Sequence, residues 1–543
     1  MPVSLFLSEE LLERKRYWVS ALLVFFSTLL YLPGLGTRDL WAPGEPIYGE
    51  VIRAMYERND WLAPMLNGQI YADKPVLYFW LALIVSKIAG GVNEWTVRLP
   101  AAMGALGLVL VTYQFGKPFY DRQMGFPAGL VLATSSRMLW ESRFLRLDTV
   151  LSFFLFLGFY FWLKAFTKIG SKHNYLLGYL CFALATLTKG PLGLAVPGLA
   201  VFSLILISGR WREIRELRLL AGFILVASVL APWLLLLHLR GEDQWLRDFI
   251  WIHNIQNYAL KPIGHVHPFY YYFINLPPDF LPWTALVPGA LIFYYPWKER
   301  LRHPATLALV CWFTATFLFF SASKSKIAYY LVPLLPSLAL FIGSYLGALL
   351  LPEQRQGNHW RWTGGFLYLL ASILALAGAL MPVVVYKLEK GLFVWSILWA
   401  VIFVSGALCM LLSLQRKQFE ALLFSMLALW LGTSLVASVG VLPYLDTYKS
   451  PRPLGEFIRS HLTAESPVYV FKSTMADFNY YARRETIPVV KSVDDVTRFT
   501  LPGRNSYLLV DEKDLKQLKF DVRFTVVTEH QLGERKWYLL RLS

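Results

Sequence analysis

The sequence predicts a polytopic α-helical membrane protein with about 13 transmembrane helices, followed by a soluble α/β domain at the C-terminus. Of its 543 residues, 56% are hydrophobic and only 16% are charged, and the apolar residues gather in long runs. These proportions exclude an ordinary soluble protein. The formal net charge is +16, but the basic residues fall in short clusters between apolar runs, so we predict no nucleic-acid partner.

Apolar runs of about 17 to 25 residues, long enough to span a bilayer, recur through residues 1–441, the predicted transmembrane domain. The runs begin near Tyr17, Arg98, Gln123, Asp148, Asn174, Pro191, Leu217, Leu281, Pro304, Ile327, Thr363, Leu392 and Phe419. The first run follows ERKR and lacks a small-residue cleavage site, which is typical of a retained signal anchor. A further run at 76–89 is shorter and contains Lys87, and we predict that it lies in the membrane interface.

The charges of the connecting segments predict the orientation. If residues 76–89 do not cross, every segment on the side of the N-terminus is basic, among them GKPFYDR, GRWREIRELR and WKERLRH. This is the pattern of cytoplasmic loops. The outer side then holds residues 38–97, 141–147, 241–280 and 321–326, the turn at Lys189 and the C-terminal tail. These segments contain most of the acidic residues and most of the His, so the outer face is predicted to be the active one.

Residues 442–543 predict a small soluble α/β domain on the outer side, because the hydropathy drops there. PVYVF and SYLLV are typical of strands, whereas STMADFNYYARR and DLKQL are typical of short helices. The domain contains no Gly-rich phosphate loop and no paired Cys, so we assign it no chemistry. The three cysteines of the chain each lie inside an apolar run, which indicates buried small hydrophobes and not disulfides or metal ligands.

The first outer loop, residues 37–97, combines acidic, basic and aromatic residues directly after the first span. Glu45 lies in a Pro-Gly-Glu-Pro turn that restricts the backbone, and residues 45–58 predict an amphipathic helix on the membrane surface. Tyr71 and Asp73-Lys74-Pro75 follow. Lys74 would pair with a lipid phosphate at the water–lipid boundary. The alternatives are a snorkelling lysine and a plain interfacial linker whose Trp and Tyr act as anchors.

A second candidate group lies in ESRFLRLDTV, between the third and fourth predicted spans. Asp148 opens the fourth span and is flanked by Arg143 and Arg146. An ionisable residue at membrane depth is costly enough to indicate function. The alternative is that Asp148 only caps the helix, because Asp is favoured at that position.

The long outer loop 241–280 contains His265-Val266-His267-Pro268, followed by a Tyr-rich run. Two His side chains one residue apart would help to bind a divalent metal if carboxylates converged on them from elsewhere. Contact with a phosphate or a sugar is an equally good interpretation. A divalent metal therefore stays open, and no other cofactor is predicted.

The outer segment SASKSK places Lys324 and Lys326 on the side that basic residues usually avoid. Their position favours an anionic partner such as a diphosphate or a phospholipid headgroup, with interfacial anchoring as the alternative. Tyr329 follows in the same stretch.

Taken in order, the motifs W-x-P-x-E-x-x-Y, D-K-P, R-x-L-R-L-D-T, H-x-x-P-F-Y-Y-Y and S-x-S-K-x-K…Y-x-x-P-x-x-P resemble those of the bacterial aminoarabinose transferase family. The family consists of membrane glycosyltransferases of the GT-C type, which use a lipid-phosphate sugar donor and are related to protein O-mannosyltransferases. The order and spacing of the motifs carry the resemblance, which extends from about residue 17 to the Lys324 region.

The resemblance implies transfer of 4-amino-4-deoxy-L-arabinose from undecaprenyl phosphate to lipid A phosphates, at the periplasmic face of the bacterial inner membrane. It implies that Lys74 holds the donor phosphate and that Glu45 and Asp148 are the catalytic acids. The chain departs from the family at Gly44-Glu45, where the family usually has Asp-Glu. The residues predicted to bind the substrates are Tyr71, Asp73, Lys74, Arg143, Arg146, His265, His267, Lys324, Lys326 and Tyr329.

This chemistry is consistent with the residue types. A sugar that leaves a phosphate develops positive charge at its anomeric carbon and negative charge on the phosphate, so carboxylates and fixed cations stabilise the two parts. A phosphate acceptor needs no strong base, whereas a hydroxyl acceptor requires one carboxylate as general base. Another polyprenyl-phosphate sugar transferase, acting on a protein or glycan with a hexose or mannose, remains an alternative. A lipid-linked sugar transporter is disfavoured because no inverted repeat is visible.

Overall fold

The computed structural model of the protein describes residues 16–119, 124–260, 264–295, 297–473, 476–499, 506–518 and 522–542. Most of the predicted basic flank of the signal anchor and residues 120–122 of the GKPFYDR loop lie outside these ranges. The chain forms two compact units. The membrane unit consists of Met1–Pro33, Asp73–Tyr78 and Pro100–Ser438, and the loop–sheet unit consists of Gly34–Ala72, Phe79–Leu99 and Val439–Ser543.

The first half of the chain is helical, with the prediction of helices at the apolar runs confirmed. Its α-helices are Arg16–Tyr31, Glu45–Arg58, Leu77–Ile88, Glu94–Phe119, Gly125–Ala133, Ser136–Glu141, Asp148–Phe166, His173–Lys189, Leu192–Ser208, Leu219–Leu239, Asp243–Arg247 and Tyr271–Asp279. A 3-10 helix covers Trp211–Glu216, a π-helix covers Asp248–Leu260, and Met65–Leu66 pairs with Gln69–Ile70 as a short antiparallel hairpin.

The second half continues with further membrane helices and ends in the sheet. Its membrane-unit α-helices are Val287–Phe293, Trp297–Arg300, Pro304–Ala322, Leu335–Leu349, Gly357–Leu388, Phe393–Gln415 and Phe419–Val436. Short 3-10 helices cover Trp283–Leu286, Ala328–Leu334, Pro352–Gln354 and Lys390–Leu392, and a π-helical turn covers Ala437–Val441. The helices after it are Leu442–Lys449, Arg452–His461, Asn479–Ala482, Val493–Phe499 and Glu512–Leu518.

Eight helices of the described chain are long and apolar enough to cross a membrane. They are Glu94–Gly116, Asp148–Phe166, Leu219–Leu239, Pro304–Ala322, Ala328–Leu349, Gly357–Leu388, Lys390–Gln415 and Phe419–Lys449. Shorter apolar helices cover Trp18–Tyr31, Leu77–Ile88, Leu192–Ser208 and Trp283–Phe293. The multi-span helical architecture is therefore confirmed, whereas the count of thirteen is not, because several predicted runs are short or broken into two helices.

Small residues let the helices that carry the later site pack closely. A Cβ built on Gly104 would lie 2.8 Å from the backbone nitrogen of Val150, and Thr149 donates a hydrogen bond to the carbonyl of Ala101 at 2.9 Å. A Cβ on Gly158 would lie 3.0 Å from the carbonyl oxygen of Gly178. Close approach at small residues is the usual way in which membrane helices gain packing energy, and here it fixes the start of the helix Asp148–Phe166.

The loop–sheet unit contains a five-stranded mixed sheet. Its strand order is Val489–Val490, Val468–Phe471, Ser506–Asp511, Arg535–Leu542 and Phe524–Leu532. The first three strands are parallel, and the last two join the sheet in antiparallel pairs. The two strands predicted from PVYVF and SYLLV and the helix predicted from DLKQL are confirmed. The predicted helix at 473–484 is shorter, with only Asn479–Ala482 α-helical, and the final hairpin was not predicted because its first strand is largely exposed and polar.

Most of the first outer loop folds in one unit with the C-terminal domain, whereas Asp73–Tyr78 belong to the membrane unit. The backbone N–H of Leu40 donates to the hydroxyl of Tyr481 at 2.7 Å, and Asp39 forms a salt bridge of 2.9 Å with Arg452. The predicted helix 45–58 is confirmed, but its placement on the membrane surface is wrong. Its apolar face is buried in this unit, and a Cβ on Gly49 would lie 3.2 Å from the ring of Tyr480.

Candidate active site

Two ion pairs, one buried and one half-buried, lie close together in the membrane unit. The ammonium nitrogen of Lys189 is 2.6 Å from Asp148 Oδ1, with 8% and 5% of the two side chains exposed. The ammonium nitrogen of Lys74 is 2.7 Å from Asp73 Oδ2. The ammonium group of Lys189 also interacts electrostatically with the charges of Lys74 and Asp73. The structure therefore brings together three of the predicted residues, Asp73, Lys74 and Asp148, and adds Lys189.

The fold fixes the Asp148–Lys189 pair at the ends of two neighbouring helices. Asp148 is the first residue of Asp148–Phe166, and Lys189 is the last residue of His173–Lys189. The residue before the first helix, Leu147, makes no side-chain capping hydrogen bond, and the carboxylate of Asp148 accepts a hydrogen bond from Lys189. The second helix stops at Gly190, whose φ of 75° suits glycine.

Asp73 has a second partner. His253 Nδ1 lies 3.2 Å from Asp73 Oδ1, and His253 belongs to the π-helix Asp248–Leu260. Burial alone would raise the pKa of Asp73, but Lys74 and His253 hold it well below its usual range. The carboxylate is thus charged at neutral pH and fixes the position of Lys74.

Aromatic rings and an arginine complete the cluster. The ammonium of Lys189 lies 4.5 Å from the ring centre of Tyr330 and 5.4 Å from that of Tyr329. The guanidinium of Arg146 lies 4.2 Å from the ring centre of Tyr329. Cations over aromatic faces are attracted by the ring quadrupole. The predicted residues Arg146 and Tyr329 therefore belong to the same site as Asp148.

A series of connected ion pairs holds Arg146 in position. Arg146 lies 3.6 Å from Glu141 Oε1, and the same oxygen is 3.1 Å from Arg137. Arg137 also pairs with Asp279 at 2.5 Å. Burial raises the pKa of Glu141, which Arg146 and Arg137 oppose. Because these groups alternate in sign, they hold one another in place in a poorly solvated region.

Arg143 points away from this cluster. Its guanidinium donates to the carbonyls of Pro33 and Leu30 and to the hydroxyls of Ser434 and Ser438. These groups lie at the end of the first membrane helix and in the last one. The geometry therefore assigns Arg143 to holding the membrane unit together, in place of the predicted contact with substrate.

Two segments that were both predicted on the outer side of the membrane contact each other. One contains His265 and His267, and the other contains Lys324 and Lys326. Val266 forms an antiparallel bridge with Ser325, and the backbone N–H of Lys326 donates to the carbonyl of His265 at 2.9 Å. The buried ammonium of Lys326 donates to the carbonyl of His267 at 3.1 Å. Lys326 thus fastens the two segments, whereas the side chain of Lys324 is exposed.

The imidazole of His267 stacks on the ring of Tyr271 at 4.2 Å between ring centres. In the part of the chain that the structure describes, no group of three or more His, Cys, Asp or Glu side chains is arranged to hold a metal ion. Asp73 and His253 contact each other, and Asp73 also pairs with Lys74. The geometry gives no support to a metal at His265 and His267.

Glu45, the other predicted acid, lies in the loop–sheet unit. Its two oxygens accept hydrogen bonds from Arg38 at 2.7 and 3.1 Å and from Arg98 at 2.9 and 3.1 Å. Burial raises the pKa of Glu45, but the two guanidinium groups outweigh it and hold the pKa well below its usual range. Tyr71 lies in the same unit, against the rings of Tyr48 and Phe79. The geometry therefore indicates a structural role for Glu45.

Two residues of the site were not predicted. Lys189 carries the same signal as Lys324, a lysine on the outer side of the membrane, and the same argument would have found it. His253 lies in WIHNIQNY, where nothing in the sequence distinguishes it from other histidines. Its π-helical setting is a structural feature often found at functional sites.

Comparisons with known proteins identify relatives with this architecture. Residues 17–246 match the family model of dolichyl-phosphate-mannose-protein mannosyltransferase. The undecaprenyl phosphate-alpha-4-amino-4-deoxy-L-arabinose arabinosyl transferase of Serratia proteamaculans is 32% identical over 337 residues, which cover 61% of this chain and 59% of the relative. The enzyme of the same name from Pectobacterium carotovorum is 33% identical over 459 residues, which cover 81% of this chain and 78% of the relative. The chain thus spans less than two thirds of the first relative and more than two thirds of the second.

Solved structures share the fold. ArnT from Cupriavidus metallidurans, bound to undecaprenyl phosphate, aligns with a TM-score of 0.78 at 21% identity, covering 96% of this chain and 98% of that chain. The archaeal oligosaccharyltransferase AglB from Archaeoglobus fulgidus aligns with a TM-score of 0.56 at 14% identity, covering 92% and 70%. At these identities the likeness concerns the fold, and it confirms the predicted GT-C architecture.

Proposed function

The chain belongs to the family of undecaprenyl phosphate-alpha-4-amino-4-deoxy-L-arabinose arabinosyl transferases, and from this premise we propose that it transfers 4-amino-4-deoxy-L-arabinose from undecaprenyl phosphate to a phosphate of lipid A. The observation that supports the proposal is the cluster of the ion pairs Asp73–Lys74 and Asp148–Lys189. Its two cations and the carboxylate of Asp148 suit the departure of a sugar from a phosphate.

Lys74 holds the donor phosphate in this proposal. Its ammonium is aimed by Asp73, which His253 fixes in turn. As the bond between the anomeric carbon and the phosphate oxygen breaks, negative charge grows on undecaprenyl phosphate. Lys74 and Lys189 stabilise that charge, and the low local dielectric makes each interaction stronger than it is in water.

Asp148 acts on the sugar. Its carboxylate stabilises the positive charge that develops at the anomeric carbon, or holds the ammonium group of the amino sugar. The acceptor phosphate is already anionic, so it attacks the anomeric carbon without a general base. Lys189 holds the carboxylate of Asp148 in its orientation, since the two groups are 2.6 Å apart.

The acceptor reaches this cluster from the outer leaflet. We propose that the inner membrane holds the protein with the cluster and the C-terminal domain on the periplasmic side, because the segments at the other side of the membrane are basic. The partners of the site are then the two lipid substrates and the surrounding membrane lipids.

Mass spectrometry of lipid A tests the proposal directly. Lipid A from cells that lack their own aminoarabinose transferase should gain a pentosamine-sized mass when this chain is expressed, and not when its Asp148→Asn variant is. The Lys87→Ala variant is a matched control, because Lys87 is an exposed lysine in the other unit. A sugar added to protein or glycan, with lipid A unchanged, would instead favour the broader class indicated by the mannosyltransferase family model.

A further inference from the structure

An apolar cavity of about 520 Å³ lies in the membrane unit. It is lined by residues of Tyr271–Asp279, Val287–Phe293, Pro304–Ala322 and Leu335–Leu349. Its volume is within the range typical of ligand sites, roughly 300 to 1,000 Å³. The ion pairs of the candidate active site do not line it.

The cavity opens on the membrane-facing surface. Leu291 and Val310 line it, and they are also 46% and 38% exposed. Exposed apolar side chains at the mouth of a groove between membrane helices favour contact with lipid tails. An acyl chain can therefore enter the cavity sideways without passing through water.

One end of the cavity is basic. Arg300 lines it, with its guanidinium 5.3 Å from the ring centre of Tyr294, and Trp297 stacks on Phe341 at the same end. Among the residues that the structure describes, none forms a salt bridge with Arg300. Arg302 follows nearby and is exposed.

This basic end lies at the opposite end of a membrane helix from the active-site segments. Arg300 lies four residues before the start of the helix Pro304–Ala322, whose 19 residues span about 28 Å. The far end of that helix leads into Ser323–Lys326, which pairs with His265–His267. The cavity therefore presents its cation to the other leaflet from the one that the proposed reaction uses.

We propose that this cavity binds an anionic phospholipid, with the phosphate on Arg300 and one acyl chain in the groove. The charge of Arg300 selects an anionic headgroup, because basic sites between membrane helices recruit such lipids. The hydroxyls of Tyr294 and Ser344, which are hydrogen-bonded to each other, lie along the wall and suit the ester groups of a glycerolipid. A polyprenyl tail offers no partner for the arginine at this end.

Thermal unfolding of the purified full-length chain tests this inference. After exchange into a neutral detergent, dioleoylphosphatidylglycerol should raise the melting temperature, and dioleoylphosphatidylcholine should not. Arg300→Gln should weaken binding of the anionic lipid roughly tenfold or more, as expected for loss of a charge-assisted phosphate contact. Leu291→Trp, which narrows the mouth at a partly exposed position, should weaken it independently.

The matched control is Arg416→Gln, an exposed arginine that does not line the cavity. It should respond to the anionic lipid like the unchanged protein. Equal stabilisation by both lipids, or an unchanged response of Arg300→Gln, would overturn the inference. Displacement of bound phosphatidylglycerol by undecaprenyl phosphate would also overturn it, because the cavity would then hold the donor tail. Transfer activity with saturating donor should be normal in Arg300→Gln, so the test does not depend on the proposed function.

Discussion

The carboxylate of Asp148 and the ammonium of Lys189 face each other at 2.6 Å across the ends of two packed helices, and both are buried. Removing one charge from such a pair leaves the other uncompensated, at a cost of about 3 to 5 kcal/mol. A single substitution of Asp148 or Lys189 should therefore change both stability and catalysis. Substituting both residues together separates the two effects.

Lys189→Met should lower both the melting temperature and the activity, because the charge of Asp148 is left buried without its partner. The double variant Asp148→Asn, Lys189→Met should regain most of the stability, since it buries no lone charge. Its activity should stay low by about 10² or more, the usual effect of losing a group that stabilises a transition state. Melting curves and single-turnover rates measure the two effects. A stable double variant with full activity would reduce the pair to a structural role.

Lys74→Ala should impair the use of donor more than it impairs folding. A charge-assisted contact to phosphate contributes about 1.5 to 3 kcal/mol, so the rate at limiting donor should fall roughly tenfold or more. Lys74→Arg should recover part of the lost transfer rate, because the positive charge remains. The measurement is transfer rate against donor concentration in detergent or liposomes, with Lys87→Ala as control. An unchanged donor dependence in Lys74→Ala would make this residue a membrane anchor.

The sequence located much of this site because ionisable residues are costly near a membrane. Asp73, Lys74 and Asp148 stand beside apolar runs on the predicted outer side, where a charge is costly enough to indicate function. The sequence also predicted the start of the helix at Asp148, since the apolar run begins there. The argument from the cost of charge near a membrane would also have predicted Lys189.

The sequence did not predict which charged residues pair with one another. Glu45 was predicted as an acid of the site, but its charge is neutralised by Arg38 in the same loop and by Arg98, which follows 53 residues later. Nothing local to Glu45 indicates the pairing with Arg98, because it depends on how the first loop folds onto the start of the helix Glu94–Phe119. The same long-range folding explains why the helix Glu45–Arg58 was expected on a membrane surface and is instead packed against Tyr480.

Glu45→Gln should therefore act mainly on stability. The variant leaves the buried guanidinium groups of Arg38 and Arg98 without their carboxylate, so we expect the loss typical of a broken buried pair, about 3 to 5 kcal/mol. Activity per folded molecule should fall less than it does in Asp148→Asn. Limited proteolysis of the loop–sheet unit, together with activity normalised to folded protein, distinguishes a loss of stability from a loss of catalysis. A normally folded but inactive Glu45→Gln variant would restore this residue to the catalytic group.

A final prediction concerns pH and Asp477, a buried carboxylate of the loop–sheet unit. Burial raises its pKa from 3.8 to about 7, opposed only by a hydrogen bond from the backbone of Gly44. Between these values the folded protein holds a proton on Asp477 that the unfolded chain has released. This contribution to stability is therefore present at low pH and is lost as the pH rises toward 7, with a slope of up to about 1.4 kcal/mol per pH unit.

Asp477→Asn should remove that slope, because the amide still accepts the hydrogen bond from Gly44 but carries no ionisable proton. The melting temperature of the variant should exceed that of the unchanged protein at pH 8 and approach it at pH 5. Glu465→Gln, an exposed carboxyl in the same domain, serves as the control and should follow the unchanged protein at every pH. Parallel curves for Asp477→Asn and the unchanged protein would mean that Asp477 is ionised in the folded state and has a cationic partner.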